Sequence, residues 1–120
     1  MRESVTLYHN PACSNSRRTL ALIREQGIEP VIVEYLQNPP DHATLRSLLA
    51  HMGTGARALL RSKESAYQQL GLDDPGLSDE TLIDHLVRQP VLMNRPVVAT
   101  PRGVKLCRPP ELVLELLPKK

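Results

Sequence analysis

Two rhythms of apolar and polar positions alternate along this chain. Near the start, Val5-Thr6-Leu7-Tyr8 is a short run of β-formers. A second run, Val31-Ile32-Val33, lies between Pro30 and the loop Asn38-Pro39-Pro40. Between the two, Leu20, Ala21, Leu22 and Ile23 sit in a segment that Gly27 stops, which predicts a helix. A strand, a helix and a strand of these lengths form a βαβ unit with parallel strands. The middle of the chain then switches to helical spacing. Asp41 is placed to cap a helix whose stripe is Leu45, Leu48, Leu49 and Met52, with Gly53 at its end. Residues 57–70 read as a weakly patterned helix. Asp73-Asp74-Pro75-Gly76 is a turn, and Ser78 caps a further helix with Leu82, Ile83, Leu86 and Val87 inward, closed by Pro90. The period of two returns near the end. Pro96 precedes a strand, Pro101-Arg102-Gly103 turns the chain, and Val104-Lys105-Leu106-Cys107 comes back as its antiparallel partner. Pro109-Pro110 opens a last helix with Leu112, Val113, Leu116 and Leu117 on one face.

The order is β-α-β, then helices, then β-β-α. It predicts an α/β fold, a thioredoxin-like mixed sheet with a helical insertion over about residues 41–90. The 120 residues suit one core, so 1–120 is expected to be a single domain. Three tyrosines are the only aromatics, which leaves Leu, Val, Ile and Ala to build that core. A net charge of +2, with no basic run and no interleaved aromatics, gives no reason to expect nucleic acid as a partner. No stretch approaches the roughly 20 apolar residues of a membrane span. The start, Met1-Arg2-Glu3-Ser4, has no apolar signal core, so a cytoplasmic location is expected. Two cysteines, Cys13 and Cys107, make no disulfide framework, and His9, His42, His51 and His85 show no zinc-like spacing with them. No metal is expected.

The chemistry gathers in residues 7–18, where the first strand passes through a polar loop into a helix. Cys13 sits at the junction. The first N–H groups of a helix are unpaired and favour negative charge, so a thiol there is readily made a thiolate and an oxyanion is readily bound. Arg17 and Arg18 add positive charge, as does His9 when protonated. Cys13-Ser14-Asn15-Ser16 is a C-x-x-S motif in the place where thiol oxidoreductases of this fold carry C-x-x-C. Ser16 offers a hydroxyl to a thiolate but forms no disulfide, so a second thiol must come from elsewhere. The strand position of Cys107 marks it as core.

With its flanks, the chain resembles the glutaredoxin-dependent arsenate reductases, the ArsC family of thioredoxin-like fold. The matching stretches are 8–13 (YHNPAC), 35–40 (YLQNPP), 57–61 (RALLR), 67–71 (YQQLG), 94–98 (NRPVV) and 106–109 (LCRP). The resemblance implies that Cys13 is the nucleophile, that His9 lowers its pKa, and that Ser16 is the helix-start serine. It also implies that Arg61, Arg95 and Arg108 bind the anion and that Pro96 is a cis-proline. Asn10 and Arg17, on the same loop and first turn, are further candidate substrate contacts. Arginine's planar fork suits two oxygens of a tetrahedral anion. The activity implied is reduction of arsenate to arsenite, with glutathione as reductant, glutaredoxin as partner and no bound cofactor. The alternatives are a monothiol oxidoreductase that deglutathionylates proteins and a redox-related regulatory module of the same family. The residue six after Cys13 is Thr19, so the C-x5-R loop of phosphatase-like arsenate reductases is absent.

Overall fold

The computed structural model describes residues 4–118; the polar start at residues 1–3 and the final two lysines lie outside them. Contacts divide the chain into two compact units. One runs up to Asn38 and resumes at Arg95, and the other is Pro39–Asn94.

The first unit is built on a four-stranded sheet. Its strands are β1 (Thr6–His9), β2 (Val31–Glu34), β3 (Val97–Thr100) and β4 (Gly103–Leu106), in the order β2-β1-β3-β4. β1 and β2 are parallel, as a βαβ crossover through helix α1 (Ser14–Glu25) requires. β1 pairs antiparallel with β3, and β3 with β4 through the Pro101-Arg102 turn. The sheet is the thioredoxin-like mixed sheet that the element order predicts. One core gathers Val5 and Leu7 from β1 and its approach, Leu22 and Ile23 from α1, Val98, Cys107, and Val113, Leu116 and Leu117 from the end of the chain. Strand side chains alternate faces, so His9 follows Leu7 onto the face that α1 covers. Tyr8, also buried, takes the other face.

The last helix differs from expectation. Pro110–Leu116 winds as a 3₁₀ helix rather than an α-helix. Its buried residues, Pro110, Val113 and Leu116, recur every third position, which the three-residue turn of a 3₁₀ helix brings into line.

The second unit is helical. α2 (His42–Met52) is capped by Asp41, whose carboxylate accepts the Thr44 N–H at 2.8 Å. Gly53 ends it in the left-handed conformation, φ 71°, which a side chain would strain. α4 (Asp79–Arg88) is capped by Ser78 and buries Leu82, Ile83 and Leu86. Between them, residues 57–70 do not form the one weak helix that the sequence suggests. Ala56–Leu59 is a 3₁₀ turn, Leu60 pairs in an antiparallel bridge with Met93, and only Ser65–Gln69, α3, is helical. The Arg61 N–H donates to Leu92 O at 2.8 Å and the Asn94 N–H to Leu59 O at 2.6 Å. These backbone groups are therefore committed to a ladder and not to a helix. Arg57 closes the segment: its guanidinium donates to Tyr67 Oη at 3.0 Å, to Leu72 O at 2.7 Å and to Asp74 O.

Core strand and edge strand should respond differently to truncation. Leu7 on β1 is fully enclosed, whereas Val31 on the sheet-edge strand β2 is 59% exposed. Chemical denaturation is expected to show a loss of about 2–5 kcal/mol for Leu7→Ala and under about 1 kcal/mol for Val31→Ala.

Candidate active site

The loop between β1 and α1 is held by its own backbone and by short side chains. Asn10 Oδ1 accepts the Ala12 N–H at 3.0 Å, and Asn10 O accepts the Cys13 N–H at 3.0 Å. Arg17 Nη1 reaches back to Pro11 O at 2.9 Å, and the Arg17 N–H opens the helix by donating to Cys13 O at 3.0 Å. Asn10 and Arg17, the candidate substrate contacts, also shape the loop.

Cys13 is the N-cap residue of α1 and is 8% exposed. Its sulfur makes no ordinary cap bond, but the helix-start amides lie against it. Burial pushes the thiol up. The Ser16 N–H, the charge of Arg95, the Asn15 N–H and a hydrogen bond from the Arg95 side chain act against burial, and together they hold the thiol below its ordinary value. Cys13 is therefore predisposed to be a thiolate, the nucleophilic form.

The positive charge that favours the Cys13 thiolate is that of Arg95, while His9 is buried against Ser16. His9 is 6% exposed, and burial pushes its imidazolium down. Glu34, its register partner on β2, works upward, while Arg24 and Arg17 work downward, and the outcome is a lowered pKa. His9 Nδ1 lies 2.6 Å from Ser16 Oγ, which also accepts the Asn10 N–H at 3.0 Å. The Ser16 hydroxyl, expected to serve the thiolate, is engaged with His9 and Asn10, and the residue's backbone N–H serves Cys13 instead. His9 and Ser16 form a buried brace under the helix start.

Arg95 reaches residue 13 through the sheet. The β1–β3 ladder pairs Tyr8 with Val97, so the end of β1 and the start of β3 lie side by side. Arg95–Pro96 is a cis peptide, as is Arg108–Pro109. Arg108 Nη1 donates to Arg95 O at 3.0 Å and braces that backbone. Arg61 belongs to the helical unit, where Nη1 is 3.1 Å from Glu64 Oε2.

Cys107 has the opposite surroundings. It is fully enclosed, its Sγ donates to Lys105 O at 3.7 Å, and burial pushes its thiol up to about 12, against the pull of Lys105 and with the push of Glu115. Among the described residues, no three His, Cys, Asp or Glu side chains gather to hold a metal ion.

A nucleophilic thiol, helix-start amides and a guanidinium in one place suit attack on an oxyanion. The ArsC family model matches residues 8–116. The chain belongs to the ArsC family. Over 96% of its length it is 52% identical to an arsenate reductase of Rhizobium meliloti (strain 1021), of which it covers 82%. It is 49% identical to YfgD of Escherichia coli (strain K12), described as uncharacterized, with 98% of this chain and 99% of that protein covered. The solved structure of an arsenate reductase from Vibrio cholerae is 42% identical and superimposes with a TM-score of 0.93, covering 98% of this chain and all of that one. This ArsC chain thus shares both sequence and thioredoxin-like fold with its relatives along nearly its whole length. The resemblance implies Arg95 as an anion ligand; its hold on the thiol depends on the β1–β3 pairing, which no local pattern signals.

Alkylation rate against pH reports the Cys13 thiolate. The midpoint is expected below the free-thiol value of about 8.5. Arg95→Ala is expected to raise it, and His9→Ala to raise it less. Cys107 is expected to stay unmodified in the folded protein.

Proposed function

We propose that this ArsC protein reduces arsenate to arsenite with glutathione and glutaredoxin. The observation that carries the reading is the buried Cys13 thiol, held low by the Ser16 and Asn15 amides and by Arg95 at the start of α1. The arsenate reductases that the chain resembles supply the substrate.

Cys13 thiolate attacks arsenic(V), forming an S–As bond as one As–O bond breaks and the oxygen leaves as water. Arg95 and the helix-start amides stabilise the negative oxygens. Arg108 acts on the anion and steadies Arg95, and Arg61 is the third anion ligand by resemblance. The enclosed, high-pKa Cys107 is a poor resolving thiol, so the second thiol is external. Glutathione attacks the arsenylated enzyme, glutaredoxin resolves the adduct, and arsenic gains two electrons as two thiols become a disulfide. The reaction needs no metal and no bound organic cofactor. Among the described residues no helix is long and apolar enough to cross a membrane, which is compatible with work in the cytoplasm.

Purified protein with arsenate, glutathione and glutaredoxin is expected to form arsenite, and Cys13→Ser to form none. Thiol transfer from glutathionylated proteins without arsenite formation would favour the oxidoreductase alternative instead. Lysine offers a point charge where arginine offers a fork. Steady-state kinetics of Arg61→Lys, Arg95→Lys and Arg108→Lys are each expected to show kcat/KM lowered about ten- to a hundredfold, the worth of one charge-assisted bond. Arg102 is exposed in the β3–β4 turn, so Arg102→Ala is expected to stay within about twofold of wild type.

A further inference from the structure

The outward face of α1 carries an open groove of about 570 Å³, lined by Arg17, Leu20, Ala21, Arg24 and Glu25. Small-molecule sites commonly hold roughly 300–1,000 Å³. The lining follows from helical spacing, because residues three and four apart share one face. Residue 13 continues the same stripe, one turn before Arg17, and the Arg17 N–H donates to Cys13 O at 3.0 Å. At a rise of about 1.5 Å per residue, the groove begins about 6 Å along the axis from the nucleophile.

The groove pairs an apolar floor with a cation. Leu20 and Ala21 are partly buried and form the floor. The three arginines of α1 are not equivalent. Arg18 lies against Glu25 and Glu111, and Arg24 holds Glu29 through Nε at 2.9 Å and Nη2 at 3.0 Å. Arg17 is exposed and has no carboxylate against it among the described residues. Its partner is a neutral carbonyl, Pro11 O at 2.9 Å. That bond fixes the guanidinium beside the loop of Cys13 and leaves its other N–H groups for an incoming anion.

We infer that this groove is the entry subsite for the external thiol and that it takes glutathione: Arg17 binds a glutathione carboxylate, and Leu20 and Ala21 receive its methylene groups. The inference rests on the proposed use of glutathione as reductant. Glutathione carries two carboxylates, and a guanidinium meets a carboxylate with two parallel donors. Its thiol lies between those carboxylates, so holding one of them on Arg17 brings the sulfur to the level of Cys13. A small thiol also suits the narrow exposure of Cys13, 8% of its surface.

S-methylglutathione binds without reacting, and backbone amide shifts report where it sits. Saturable shifts are expected at Leu20, Ala21 and Arg24, and none with its dimethyl ester, whose carboxylates are masked. Ala21→Glu sets a carboxylate four residues from Arg17, the spacing of a helical ion pair, and keeps a good helix former. It is expected to weaken S-methylglutathione binding about three- to tenfold, and to raise KM for glutathione by the same factor with glutaredoxin in excess. Protection of Cys13 from iodoacetamide by arsenate, measured without glutathione, is expected to stay within about twofold. A thermal melt checks folding, and Arg17→Gln carries the same expectation for S-methylglutathione binding. If the wild type binds S-methylglutathione elsewhere or not at all, or if both variants bind it unchanged, the inference is overturned whether or not arsenite forms. If no arsenite forms while the groove binds as expected, the reading of the reaction fails and glutathione binding to the groove stands. An equal loss of arsenate protection in Ala21→Glu would also overturn the inference, because Arg17 would then serve arsenate.

Discussion

The site depends on a contest at one sulfur atom. Enclosing Cys13 disfavours its charge, and the N–H groups of Ser16 and Asn15 and the guanidinium of Arg95 favour it. The second set prevails. Each pKa unit gained is worth about 1.4 kcal/mol of preference for the thiolate, so small displacements of these donors matter. Much of the surrounding structure keeps them in place. Asn10 closes the loop with its side chain and its carbonyl, Arg17 ties back to Pro11, and the His9–Ser16 contact props the first turn from beneath. The same amides that stabilise a thiolate suit the oxygens of an oxyanion, which places nucleophile and electrophile at one helix end.

Arg95 and Cys107 show how position decides chemistry. The β1–β3 ladder carries Arg95 to the thiol across more than eighty residues of chain, and Arg108 steadies it through a carbonyl. Cys107, just after β4, meets an apolar core, and its thiol rises to about 12. One thiol is activated and the other is inert, although both are buried.

Local signals were the legible ones. The βαβ start, the Asp41 and Ser78 caps, the Gly53 stop and the closing hairpin follow from residue pattern, and Cys13 at a strand-to-helix junction already points to a reactive thiol. What depends on distant partners was not legible. Residues 57–70 carry helix-forming composition, but the ladder of Leu60 with Met93 and the bonds of Arg57 override it. The last helix tightens to 3₁₀ because its buried residues fall every third position on the core. His9 reads as a partner of the thiol from its nearness to Cys13; its enclosure beside Ser16 and the hold of Arg95 on the thiol are tertiary facts.

The central claim is that the start of α1 stabilises the Cys13 thiolate. Backbone amide shifts of Ser14, Asn15 and Ser16, followed by nuclear magnetic resonance across a pH titration, sense that charge where it forms. The account predicts that these amides move together with a midpoint below the free-thiol value of about 8.5, and that the movement vanishes in Cys13→Ser. A midpoint at or above that value, or the same movement without the thiol, would contradict it.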